Sequence, residues 1–187
     1  MKAVIISGSV VGSKTRKATT ALREKIESLN AHDIEYIDLK NYDMPFSDGR
    51  NYLDYGGSTT EALTKIMEAD VVFIGTPIFQ ASIPGPLKNL FDLLPPDAFR
   101  NKTVSMIITA GSLRHYLVPE QQLKPILSYM KADIVPGYVY ILDQDFGTEG
   151  IENDDILLRL DALMDNTFNN AEAHQAVLDK FDESFGF

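Results

Sequence analysis

Short apolar, β-rich runs recur five times along the chain, at residues 3–6, 34–37, 71–74, 103–109 and 138–142. The runs AVII and VVFI have no polar position, so they suit strands buried on both faces better than strands with one wet face. Between the runs the apolar spacing changes to three and four. Residues 15–29 place Ala18, Ala21, Leu22, Ile26 and Leu29 on one stripe, and residues 60–69 do the same with Leu63, Ile66 and Met67. Residues 86–94 carry Leu87, Leu90, Phe91 and Leu94, and residues 117–130 carry Leu123, Ile126, Leu127 and Met130. A last helical region over about 152–183 contains Ile156, Leu157, Leu160, Leu163 and Met164, with a break expected near residues 166–170.

Strands alternating with helices predict an α/β protein with a parallel sheet covered on both faces. Five strands within the first 142 residues fit a flavodoxin-like three-layer αβα sandwich, a five-stranded parallel sheet of order 2-1-3-4-5. The other common nucleotide-binding order needs a sixth strand that the pattern does not supply. In the expected order the ligand crevice lies at the carboxyl ends of the first and third strands. The length of 187 residues suits one domain spanning 1–187, its helical end included.

Composition narrows this only slightly. With 44% apolar and 24% charged residues the chain reads as an ordinary globular protein, and no stretch approaches the length of a membrane span. It has no cysteine, which excludes a disulfide framework, a thiolate metal site and a cysteine nucleophile. The N-terminal run reads as a first strand rather than a secretion signal, so a cytoplasmic location is the expectation.

Charge is more informative. Of the formal net charge of −10, all is contributed by residues 143–187, where twelve acids face only Arg159 and Lys180. That end reads as a solvated acidic surface. The first twenty-five residues instead hold Lys2, Lys14, Arg16, Lys17, Arg23 and Lys25 against Glu24. So small a basic cluster on an acidic protein excludes a nucleic-acid face and suits a small anion.

Three loops at the expected carboxyl edge carry the candidate chemistry. The first, GSVVGSKTRKAT at residues 8–19, combines glycines and hydroxyls with a helix start and three cations, the means by which phosphates are held. Its spacing is neither the dinucleotide fingerprint nor the triphosphate loop, and the local positive charge tips the reading to a monophosphate. The other reading is that Ser13 or Thr15 only caps the helix. The second loop follows the third strand, where Gly75, Thr76 and Pro77 precede large Ile78, Phe79 and Gln80. A plain connection needs only small polar residues, so this loop reads as the wall of a site. The third follows the fourth strand, where Ala110, Gly111 and Ser112 would let backbone amides approach a flat heterocycle. Ser112 lacks the surroundings of a serine nucleophile. His115 in this loop reads as packing or hydrogen-bonding within it, with ligand contact the alternative, and His32 and His174 have no ligand-spaced partners, so no metal site is expected. A ligand with a phosphate tail and a planar head fits all three loops, and flavin mononucleotide (FMN) is the candidate.

The segments GSVVGSKTRKAT (8–19), GTPIFQASIPGPLKNLFDLLP (75–95) and TAGSLRHYLVPEQQLKPIL (109–127) together resemble the NADPH-dependent FMN reductases of the flavodoxin-like superfamily. The likeness is nearest to the FMN reductases of sulfonate utilisation and covers roughly residues 1–142. It implies bound FMN, NADPH as reductant, a small acceptor such as flavin, quinone or azo compound, and a homodimer or homotetramer whose neighbouring chain completes the site. It maps the phosphate region onto Ser9, Ser13, Lys14, Thr15 and Arg16. It maps the ring contacts onto Pro77, Ile78, Phe79, Gln80 and Ala81 on one side, and Thr109, Ala110, Gly111 and Ser112 on the other. The chain departs from the family at Val10-Val11, where many members have Pro-Arg, which leaves Arg16 or Lys14 for charge pairing. Residues 40–58 match no pattern and read as a mobile segment over the site.

Hydride transfer from nicotinamide to flavin N5 needs stacking and phosphate binding rather than an acid–base pair, and the sequence spells none. The rival from another class is a non-catalytic flavodoxin-type electron carrier, which the acidic surface would suit. A phosphorelay receiver would need an aspartate where Gly75-Thr76 stands. The helix GPLKNLFDLLP spreads Leu90, Phe91, Leu93 and Leu94 round more than one face, and reads either as core or as an oligomer contact.

Overall fold

The computed structural model describes residues 1–185. Its strands are β1 (Lys2–Ser7), β2 (Asp33–Asp38), β3 (Val71–Pro77), β4 (Thr103–Ala110), β5 (Asp133–Ile134) and β6 (Val139–Leu142). All pairs are parallel and run β2-β1-β3-β4-β5, with β6 also on β4. The expected order is therefore present, but its fifth place is shared by two short strands on the same edge of β4. Five residues lie between Asp133 and Val139, against three between their partners Thr103 and Ile107. The surplus is taken up at Val135–Tyr138, where Pro136 has no amide to donate and Gly137 takes φ +80°.

The alternation of strand side chains builds the layers. In β1, Val4 and Ile6 face one way and Ala3 and Ile5 the other; in β3, Val72 and Ile74 oppose Val71 and Phe73. The first set packs under α2 (Gly57–Glu68), α3 (Gly85–Leu93) and α4 (Lys124–Tyr129). The second packs under α1 (Lys14–Leu29) and α5 (Asp154–Phe185). This is the three-layer αβα arrangement. The fourth helical region enters through a 3-10 turn, Leu113–His115, and a π-helical turn, Pro119–Leu123. No helix among the described residues is long and apolar enough to cross a membrane.

Two expectations are corrected and a third, on α3, is sharpened. Helix α5 runs unbroken through residues 166–170, because Asn166, Asn169 and Asn170 sit on its exposed side while Phe168 and Ala171 continue the buried stripe. On α3, Leu90, Phe91 and Leu93, with Leu94 just after it, are all buried within the chain, and Phe91 meets Phe99 edge-on at 6.1 Å. Phe91 and Leu94 also line an apolar cleft toward α4, so the core reading holds and the contact reading stays open. Residues 40–58 do not line the cleft at the carboxyl ends of the strands, and the segment is tied to α3 at Pro45 and Ser47. Ser47 N–H donates to Asn89 Oδ1 (3.1 Å), Ser47 Oγ donates to Asp92 O (2.8 Å), and Asn89 Nδ2 donates to Pro45 O (2.9 Å). Tyr42, Tyr52 and Tyr55 pack half-buried against the core.

Candidate functional site

A cleft of about 360 Å³ opens at the carboxyl ends of β1, β3 and β4. It is lined by residues 11–15, 77–79 and 109–111, and by Asp143. Its volume falls in the range of small-molecule sites.

The floor depends on close backbone contact. Gly8 N–H donates to Gly75 O at 2.7 Å, bringing the phosphate loop down onto the end of β3. Above it α1 begins. Its first-turn amides lack intrahelical partners by geometry and point toward the cleft end of the helix. Ser13 is the N-cap residue, but its hydroxyl makes no cap bond. Thr15 does not cap either: its Oγ1 lies 2.7 Å from Thr109 Oγ1, a buried pair tying the head of α1 to the end of β4. The capping alternative is therefore unrealised for both hydroxyls. Ser9 is buried beneath the loop and donates to Val11 O at 2.6 Å, which sets the loop's curvature.

The opposite wall is the loop after β3. Ile78 N–H donates to Thr109 O at 3.1 Å, and Phe79 and Ser82 exchange two backbone bonds of 2.9 Å. Between them Gln80 (φ 50°) and Ala81 (φ 58°) both take the left-handed conformation. That is the two-residue turn usually made by Asn-Gly, and each non-glycine residue costs about 1 kcal/mol there. The strain holds Phe79, 40% exposed, against the cleft mouth.

The third wall is Thr109, Ala110 and Gly111, and the loop that follows is pinned from β6. Tyr140 OH donates to Ser112 O at 2.8 Å and Tyr138 OH donates to Tyr116 O. Burial pushes the Tyr138 phenol up to about 12 and raises that of Tyr140, so both remain protonated donors at neutral pH.

Of the residues expected from sequence, Ser13, Lys14, Thr15, Pro77, Ile78, Phe79, Thr109, Ala110 and Gly111 line the cleft together. Ser9, Arg16, Gln80, Ala81 and Ser112 lie outside that lining. Arg16 turns to Asp38 at the end of β2 and leaves Nη2 buried without a partner. His32 stacks on Phe168 at 3.8 Å, remote from the cleft lining. Asp143 was missed by sequence reasoning, which merged it with the acidic tail. The signal was available, since it directly follows the last strand. Lys14 Nζ lies 2.8 Å from its Oδ1.

The donor set fits FMN. Free first-turn amides, the Ser13 hydroxyl and the Lys14 ammonium suit a phosphate, and Arg16 in the same turn keeps its Nη2 donor buried without a partner. Pro77, Ile78, Phe79 and Ala110 offer the apolar surface a planar ring requires.

The family model described as NADPH-dependent FMN reductase matches residues 1–147. An NAD(P)H-dependent FAD/FMN reductase of Geobacillus thermodenitrificans is 43% identical over 141 residues, 75% of this chain and 76% of its own. An FMN-dependent NADPH-azoreductase of Staphylococcus saprophyticus is 30% identical over 175 residues, 88% of this chain and 92% of its own. Among solved structures, an apo NADH:FMN oxidoreductase superposes with a TM-score of 0.76 at 25% identity, covering 89% of this chain and 87% of that one. Between the two readings of a flavin-binding fold, enzyme and passive carrier, these matches select the enzyme. The chain belongs to the NADPH-dependent FMN reductase family and is an oxidoreductase that works with FMN and NAD(P)H.

Proposed function

We propose that the chain reduces a small planar acceptor, a free flavin or a quinone- or azo-type compound, at a single cleft used in turn by NADPH and acceptor. The observation that carries this reading is the cleft itself, which joins an anion-holding helix head to an open apolar wall. In this reading Ser9, Ser13, Lys14, Thr15 and Arg16 form the phosphate region. Ile78 and Phe79, flanked by Pro77, Gln80 and Ala81, wall one side of the ring, and residues 109–112 the other. Held by these residues, FMN would supply two-electron hydride-transfer chemistry. The chain's part is positional: the Thr15–Thr109 bond and the tight turn at Gln80-Ala81 hold opposite walls at a set separation, and exposed Phe79 excludes water from the apolar side. The azoreductase name of one relative supports an azo-type acceptor.

With FMN-loaded protein, NADPH is expected to bleach the flavin, and a quinone or azo dye to restore its colour. Steady-state lines at varied acceptor should run parallel. Intersecting lines, which require both reactants bound at once, would overturn the shared-cleft reading.

We also propose a homodimer or homotetramer. A second, apolar cleft of about 450 Å³ lies between α3 and α4, with Tyr129 at its edge 71% exposed. Sedimentation should give a mass well above 20.8 kDa at micromolar concentration, and the monomer mass would refute the assembly.

A further inference from the structure

The three cations at the head of α1 are all engaged by the chain itself. Arg16 is paired with Asp38, and Lys17 Nζ donates to Gly147 O (3.1 Å) and Thr148 O (2.6 Å). Lys14, the cation in the cleft lining, is paired with Asp143 of the same lining. An anion entering at the helix head therefore meets a cation already neutralised.

The two partners of that pair differ in freedom. Lys14 carries its charge on a four-carbon stem that can swing. Asp143 has a short side chain on a fixed turn. Leu142 N–H donates to Asp145 Oδ2 (2.8 Å) and Asn153 Nδ2 donates to Asp145 Oδ1 (2.7 Å), while Asp145 O accepts from Glu152 N–H (2.9 Å). Asp145 is itself buried, so this knot fixes the backbone from which Asp143 projects. When Lys14 turns to a phosphate, the Asp143 carboxylate stays in the cleft wall as a like charge.

We infer that Asp143 is a specificity-determining residue: it competes with the flavin phosphate for Lys14, repels that phosphate, and keeps FMN exchangeable. This rests on the reading above that the phosphate is held at the head of α1. Because the competition acts through charge, it penalises FMN and spares riboflavin, which has the same ring without the phosphate. Asp143 thus lowers the preference for the phosphorylated flavin.

The test is quenching of flavin fluorescence on titration with flavin-free protein, using FMN and riboflavin separately. Asp143→Asn should tighten FMN roughly three- to tenfold, the reduced size set by a pair that is about half exposed, with riboflavin unchanged. The gain should shrink as salt is raised. Asp143→Ser, which removes the carboxylate with a smaller side chain, should act in the same direction. Lys14→Gln should weaken FMN and spare riboflavin. FMN affinity unchanged or weakened in both Asp143 variants overturns the inference alone, provided that Lys14→Gln lowers FMN affinity as expected. Equal tightening of both flavins also overturns it, by placing Asp143 against the ring. FMN affinity unchanged in Lys14→Gln instead overturns the phosphate reading, and the inference with it.

Discussion

Replacing Lys102 by methionine is expected to lower the melting temperature by roughly 5–10 °C. Lys102 is 9% exposed, and its ammonium donates to Met67 O (2.7 Å) and Ala69 O (2.6 Å), where α2 ends against the start of β4. The last carbonyls of a helix have no partner in the helix, so Lys102 supplies what α2 cannot supply itself. Methionine fills the same volume but leaves both carbonyls buried without a donor. Bonds from a charged group contribute more than neutral ones, and relief of the buried charge recovers part of the loss, leaving about 2–3 kcal/mol. The pH dependence is a second signature. Burial pushes the lysine below its ordinary 10.5, so the unfolded chain holds a proton the folded chain has released between the depressed value and 10.5. The pH-linked part of its contribution therefore rises with pH across that window and is constant below it, where the ammonium's bonds to the two carbonyls already stand. The raised phenols of Tyr138, Tyr140 and Tyr42 act oppositely at high pH, so the difference between wild type and variant is the quantity to follow. A variant melting within a degree of wild type would show that the two carbonyls find other partners.

The middle of the sheet was legible because β1 and β3 are buried on both faces and read as unbroken apolar runs, while edge strand β2 showed only a short run interrupted by Glu35. The sheet's fifth place was half legible: Val139–Leu142 is an apolar run, whereas Asp133–Ile134 is too short to carry a pattern and is separated from it by Pro136-Gly137. Asparagines at 166–170 suggested a break because local preference disfavours them in helices, but the buried stripe of Phe168 and Ala171 outweighs that preference. At the site, the loops were legible from their position after β1, β3 and β4, which topology alone assigns to the crevice. Pair contacts were not, since Thr15 with Thr109 and Lys14 with Asp143 join residues far apart in the chain. Asp143 shows the limit most clearly: read by composition it belongs to a solvated acidic end, and only its place after the last strand sets it in the cleft.

Gly75→Ala is expected to damage fold and site together. A Cβ at Gly75 would stand 2.2 Å from Thr19 Cγ2, with Ile6 O at 3.3 Å and Thr15 Cγ2 at 3.4 Å. Thr19 cannot turn aside cheaply. It is fully buried in α1, and its hydroxyl lies 3.0 Å from both Thr15 O and Arg16 O and 2.8 Å from Tyr36 OH. The clash is relieved by lifting the first turns of α1 off β3, at a cost of about 2–3 kcal/mol, or roughly 4–10 °C in melting temperature. That lift also strains the Thr15–Thr109 bond and moves Ser13 and Lys14 away from the opposite wall, so FMN affinity should fall along with stability. Adding Thr19→Ser removes the one methyl in severe contact and keeps the hydroxyl with its three partners. The double variant should recover most of both losses. If Gly75→Ala melts like wild type, or if Thr19→Ser fails to rescue it, then close packing of α1 on β3 is not what places the phosphate loop.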